Sequence, residues 1–218
     1  MTRLSYPLVC FDLDGTLVDD TVFIWKTLHE TFNTDPVARK VARDSHMAGR
    51  LSYKQWFEHD LRLLRAAGAD EGQIRAVIGT LRPMPGVFEV LEELKARGHI
   101  LAIVSGSLDV VVEELFGQDQ FDHLLINRIH FDDEGQISGG VATPYDLAGK
   151  ADGLRELSRR ENLPLDRTAF IGDNFNDYWI AKIAGLSVAF NCKSDELRKV
   201  CKVEIEGTDL TPLLDIIS

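Results

Sequence analysis

The chain has 218 residues, enough for one α/β domain of ordinary size with a modest insertion and for a substantial core. Its 44% hydrophobic and 27% charged side chains exclude the fibrous and low-complexity classes. With 35 acidic against 24 basic residues, the formal charge of −11 opposes nucleic-acid phosphates and anionic membranes, and no basic run relieves it.

The three cysteines, Cys10, Cys192 and Cys201, are odd in number and never spaced Cys-x-x-Cys, so neither a disulfide framework nor a structural zinc site is indicated. The N-terminal Met-Thr-Arg-Leu-Ser-Tyr-Pro lacks the apolar stretch of a signal peptide, and no window approaches the roughly 20 apolar residues of a membrane span. A cytoplasmic protein, without a nucleic-acid or membrane partner, is the expectation.

Along the chain, Leu8-Val9-Cys10-Phe11 is a short apolar run that stops at acid and glycine, which predicts a buried parallel strand with Cys10 inert inside it. Residues from about 20 to 80 carry helical apolar spacing, as at Trp56, Phe57, Leu61 and Leu64, without a convincing strand. This stretch reads as an inserted helical subdomain, in which Trp25, Phe32, Trp56 and Phe57 pack helices together. Val87, Val90, Leu91 and Leu94 predict a helix ending at Gly98. A strand over residues 100–104 then stops at Ser105-Gly106-Ser107, and a helix over 108–116 follows.

Residues 126–141 predict a β-hairpin turning at Asp132-Asp133-Glu134-Gly135. Helices over 151–160 and 178–184 alternate with strands over 168–171 and 186–190. This alternation implies right-handed crossovers in a doubly wound parallel-sheet, Rossmann-like α/β core, built from residues 1–20 and 81–218 and interrupted by the helical segment 21–80.

In an open parallel sheet the ligand site lies beyond the carboxyl ends of the strands, where Asp12, Asp14, Ser105, Ser107 and Asp173 stand. Side chains alternate along a strand, so Asp12 and Asp14 point the same way, and Gly15 permits a sharp exit. Clustered carboxylates repel and raise each other's pKa unless a hard divalent cation keeps them ionised, so the group with Asp173 and Asp177 predicts Mg²⁺. The Ser105 hydroxyl and Gly106 amide suit phosphoryl oxygens, and Lys150, opening a helix against its dipole, suits a nearby anion. Lys182 and Lys193 are alternatives for that lysine.

Asp12-Leu13-Asp14-Gly15-Thr16, Ser105-Gly106-Ser107, Lys150, and Gly172-Asp173-Asn174-Phe175-Asn176-Asp177 together resemble the four motifs of the haloacid dehalogenase superfamily. The helical insertion after the first motif, the hairpin near Asn127-Arg128 and the last motif resemble its phosphoserine phosphatase-like branch. The resemblance implies a Rossmann-like core with a helical cap. It also implies attack on phosphorus by the Asp12 carboxylate, with Asp14 as general acid and then base. Mg²⁺ would be held by Asp12, the Asp14 carbonyl and Asp173, with Asp177 supporting the metal or Lys150. Asn176 would face the phosphate, and Thr16 would fix the loop after the nucleophile.

The resembling phosphoserine enzymes hold the amino-acid end with a glutamate soon after the first motif and a cap arginine. Here Thr21 follows Asp19-Asp20, and Asp60 falls near the arginine position with Arg50 and Arg62 close by. Asp20, Thr21, Arg50 and Asp60 are therefore the candidate specificity residues. The expected function is a Mg²⁺-dependent phosphomonoester hydrolase for a small phosphorylated metabolite, phosphoserine or a related compound, working as a monomer or homodimer. The rivals are a phosphotransferase or phosphomutase on the same fold and a non-catalytic binding protein.

Overall fold

The computed structural model describes residues 4–217; the first three residues of the expected core segment, Ser218 and the side chain of Gln118 lie outside the described residues. Strand β1 (Leu8–Phe11) enters first, followed by a two-residue strand β2 (Val18–Asp19). Four helices come next, α1 (Ile24–Thr31), α2 (Pro36–Met47), α3 (Tyr53–Ala66) and α4 (Glu71–Ile78), and β3 (Arg82–Pro83) closes the segment by pairing antiparallel with β2. This short ribbon, at both borders of the helical segment, is absent from the sequence reading because two residues carry no periodicity.

The chain then alternates: α5 (Val87–Arg97), β4 (Ile100–Leu108), α6 (Asp109–Leu115), β5 (His123–Phe131), β6 (Ile137–Val141), α7 (Lys150–Arg160), β7 (Thr168–Gly172), α8 (Tyr178–Ala181), β8 (Leu186–Phe190), α9 (Asp195–Val200), β9 (Val203–Ile205) and α10 (Leu213–Ile216). The main sheet has seven strands in the order β6-β5-β4-β1-β7-β8-β9, parallel except for β6, which pairs antiparallel with β5 as the predicted hairpin.

The sheet separates two apolar layers, and alternation along β1 explains how. Val9 and Phe11 point into a cluster with Val90, Leu91 and Leu94 of α5 and with Val111 of α6. Leu8 and Cys10 point the other way, toward Leu154 and Leu157 of α7, Ile180 of α8 and Leu197 of α9. Burial of the Cys10 thiol raises its pKa and keeps it protonated. The chain leaves β1 toward β4 and β5, then returns to the other side of β1 at β7. That reversal opens a crevice at the carboxyl ends of β4, β1 and β7.

One strand differs from expectation. β4 does not stop at Val104 but runs to Leu108, with a register shift against β5 between those two residues. Ser105-Gly106-Ser107 is thus an irregular strand end, bent away from the ladder, and not a loop after it.

The helical segment sits over the same crevice. Helix α3 begins with a capping box in which Ser52 and Gln55 satisfy each other's backbone N–H groups. Ser52→Ala is expected to lower unfolding free energy by about 1 kcal/mol, read as a shifted urea midpoint with an unchanged m-value. No helix among the described residues is long and apolar enough to cross a membrane.

Candidate active site

The carboxyl ends of β1 and β7 bring Asp12, Asp173 and Asp177 together, with one carboxylate oxygen from each lying within 4.8 Å of the others. All three are buried. Asp177 is fixed by its own loop: its Oδ2 accepts the backbone N–H groups of Asp173 (3.0 Å) and Asn174 (3.2 Å). Gly15 leaves β1 at φ 80°, and a Cβ there would fall 2.4 Å from Asp173 Oδ2, so only glycine allows this approach. Thr16 Oγ1 donates to Asp173 Oδ1 at 3.3 Å, a bond from the turn after β1 to the residue that follows β7.

Lys150, fully buried at the first turn of α7, places Nζ 2.7 Å from Asp12 Oδ1 and 2.6 Å from Asp177 Oδ1. The Asp177 contact is a hydrogen bond, whereas Asp12 Oδ1 is held by charge without hydrogen-bond alignment. Burial alone depresses the Lys150 ammonium, but the charges of Asp12, Asp177 and Asp146 outweigh it and hold its pKa above the ordinary value. Of the two alternatives, Lys193 pairs with Asp173 Oδ2 at 2.7 Å, and Lys182 lies over the rings of Tyr178 and Trp179.

Asp14 points toward the helical segment. Its Oδ1 accepts the Ser107 hydroxyl (2.9 Å), and its Oδ2 accepts the backbone N–H of Ile24, the first residue of α1 (2.7 Å). Burial pushes its pKa up to about 7, with the Asp12 charge adding to the rise. Asp14 therefore carries or releases a proton near neutrality. Burial, with the charge of Asp12, also raises Asp173 and Asp177.

The donor set fits a divalent cation. Among the described residues, only Lys150 and Lys193 pair with the buried carboxylates Asp12, Asp14, Asp173 and Asp177. Two ammonium groups against the three clustered carboxylates of Asp12, Asp173 and Asp177 leave one negative charge uncompensated, and all the donors are hard oxygens. Asp12 Oδ1 also lacks a hydrogen-bond partner.

The site opens into a cavity of about 790 Å³, lined on one side by Asp12, Asp14, Ser105, Gly106 and Asn176, and on the other by α1, α2 and α3. Of the four candidate specificity residues, only Asp60 lines it. Asp20 turns outward to Arg82 at 2.6 Å, Thr21 bonds Thr27 at 2.8 Å, and Arg50 is exposed after α2. Of the aromatics expected to pack helices, Phe57 joins the apolar core and Trp25 and Phe32 pack against it, while Trp25, Trp56 and Phe57 also line the cavity. The Trp25 Nε1–H donates to the Gly106 carbonyl at 2.9 Å, and Asn127 Nδ2 donates to that carbonyl and to the Tyr53 hydroxyl, both at 2.8 Å. Trp25, His29, Arg39, Tyr53 and Asp146 are cavity residues that sequence reasoning missed. A signal existed for this wall: Asp60 interrupts the apolar stripe Phe57, Leu61, Leu64 of α3, and an acid on a buried face needs a reason.

A seven-stranded, mostly parallel sheet with catalytic-type carboxylates at a topological switch point and helices laid over it defines a class of α/β enzymes that work at strand ends. The profile of the haloacid dehalogenase-like hydrolases matches residues 9–182, and the chain belongs to that family. It is 29% identical over 212 residues to the phosphoserine phosphatase of Methanocaldococcus jannaschii, covering 96% of this chain and 97% of that one. It is 34% identical over 192 residues to the phosphoserine phosphatase of Streptomyces coelicolor, covering 88% of this chain but 45% of that longer protein. A solved structure of a phospho-aspartyl intermediate analogue of phosphoserine phosphatase superposes with a TM-score of 0.74 at 28% identity, covering 98% of this chain and 99% of that one.

Proposed function

We propose that the protein is a Mg²⁺-dependent phosphomonoester hydrolase for phosphoserine or a related small phosphate ester, acting in the cytoplasm through an aspartyl-phosphate. The observation that carries this reading is the juxtaposition of Asp12, held beside Lys150, with Asp14, whose pKa lies near 7. One carboxylate faces a fixed cation and can attack; the other carries a proton to give.

In the first half-reaction an Asp12 oxygen forms a bond to phosphorus as the ester P–O bond breaks, and Asp14 protonates the departing alcohol. In the second, Asp14 takes a proton from water as the water oxygen attacks the phosphoryl group and frees Asp12. The Ser105 hydroxyl, the Gly106 amide and Asn176 donate to the phosphoryl oxygens, and Lys150 balances charge at the nucleophile. Asp12, the Asp14 carbonyl and Asp173 would hold Mg²⁺, with Asp177 supporting Lys150; the cation supplies neutralisation of the charge that builds on the transferring group.

Residues 21–80 work as a cap over the core of residues 1–20 and 81–218. The bond from Ile24 N–H to Asp14 ties the start of that cap to the general acid.

Release of phosphate from an aryl phosphate tests the reading. Activity is expected with Mg²⁺, to fall to background in EDTA, and to return when Mg²⁺ is restored in excess. Mg²⁺ at about 100 times its dissociation constant should also stabilise the fold by about 2.7 kcal/mol in thermal melts. Turnover indifferent to chelation overturns the metal assignment. Added alcohols separate hydrolysis from phosphotransfer, because a transferase would yield a new ester in place of free phosphate.

A further inference from the structure

The far wall of the cavity carries a second polar cluster that the phosphoryl chemistry does not use. Asp60 and His29 are each 3% exposed, and Asp60 Oδ1 stands 3.7 Å from His29 Nε2 and 3.8 Å from His59 Nδ1, with a hydrogen bond to neither. Arg39 Nε and Trp56 Nε1 are buried and equally unpartnered. Asp60, His29, Arg39 and Trp56 line the same cavity as Asp12. A buried polar group left without a partner costs about 1–3 kcal/mol, so four on one wall mark groups kept free for a ligand.

Their chemistry restricts what can satisfy them. Arg39 and Trp56 N–H groups only donate, whereas burial pushes the Asp60 carboxyl up to about 7, so near neutrality it accepts in both of its forms and donates in one. Burial, with the charge of Arg39, holds His29 near a pKa of about 3, so it is neutral. A lone ammonium leaves the two donors unpaired, and a lone carboxylate leaves Asp60 unpaired in its ionised form. Hydroxyl groups both donate and accept, and serve the whole cluster.

A zwitterionic amino acid also carries both functions, but spacing disfavours one as small as serine. The Trp25 indole bonds the Gly106 carbonyl and stacks on His29 with ring centres 6.3 Å apart, and His29 faces Asp60. A full indole layer thus separates the phosphate-binding strand end from the polar wall. In phosphoserine the amino and carboxyl groups branch one carbon beyond the ester carbon. A cavity of about 790 Å³ leaves most of its volume unfilled around such a molecule.

Resting on the phosphatase reading, we propose that the preferred ester is the phosphate of a polyhydroxylated alcohol of sugar or sugar-alcohol size. Its distal hydroxyls meet Asp60, Arg39 and Trp56, and its carbon face lies along Trp25 and Phe57.

Initial rates of the Mg²⁺-loaded protein on a pentose phosphate, a hexitol phosphate, phosphoserine and an aryl phosphate test this. The best five- or six-carbon polyol phosphate should exceed phosphoserine in kcat/KM by at least about tenfold. Trp56→Phe keeps the ring and removes one donor, and should erode that preference by about tenfold; Asp60→Ala should erode it by about 30-fold. Circular dichroism checks that both variants fold, and Trp56→Phe alone decides if Asp60→Ala does not. Phosphoserine turned over as well as every polyol phosphate, by a protein active on the aryl ester, overturns this inference and leaves the phosphatase reading standing. A preference unchanged in the folded variants assigns the cluster to structure and overturns it too. Phosphate release from no ester at all overturns both.

Discussion

Asp12→Asn should lower turnover of any accepted ester by roughly 10⁴-fold or more while leaving the fold intact, because it removes the attacking oxygen's charge without changing side-chain shape. Asp12 lies at the end of a fully buried strand whose pairing to β4 and β7 does not involve its side chain. The amide can keep the 2.7 Å approach to Lys150 through its own oxygen. The like-charge pressure that Asp12 puts on Asp173 and Asp177 disappears. Without metal, the variant should therefore melt at or above the wild-type temperature, and its stabilisation by Mg²⁺ should shrink. Dead activity with undiminished metal-free stability is the joint signature; undiminished turnover would sink the mechanism.

Lys150→Met has the largest expected effect on stability. The ammonium is fully buried and sits within 2.7 Å of two buried carboxylates, so its removal strands their charges in a low-dielectric interior. Breaking such a pair from one side costs about 3–5 kcal/mol, or a fall in Tm on the order of 10 °C for a chain of this size. Calorimetry in EDTA measures it. Saturating Mg²⁺ should recover part of the loss, since the cation compensates the same carboxylates. Activity should stay at least about 10²-fold down, because the cation does not replace the fixed charge beside Asp12. An unchanged Tm would mean that the cluster lies protonated and uncharged.

The core was legible because its strands are buried on both faces and end in abrupt polar residues, as β1 does at Asp12 and β7 at Asp173. Those ends carry Asp12, Asp14 and Asp173, which the punctuation names, while Asp177 stands further on, in the turn before α8. The course of β4 past Val104 was not legible, since a register shift depends on its partner strand and not on the composition of Ser105-Gly106-Ser107.

The cavity wall was read least well, for a geometric reason. Tyr53, Trp56, Phe57 and Asp60 share one face of α3, but whether that face meets another helix or an open space depends on how α1 and α2 are laid beside it. Aromatic spacing is the same in both cases. Asp20, Thr21 and Arg50 are near the site only in chain position, and bonds to the distant Arg82 and the nearby Thr27 turn the first two away.

Trp25 has a practical consequence beyond shaping the cavity. Its N–H bond to Gly106 fastens α1 to the irregular end of β4, so the helical layer cannot lift from the sheet without surrendering that bond and wetting the ring. The indole is thus an optical reporter already built into the junction of α1 with β4. With Trp56 and Trp179 replaced by phenylalanine, its emission follows opening and closing without any attached dye, and stopped-flow records can time product escape against chemistry.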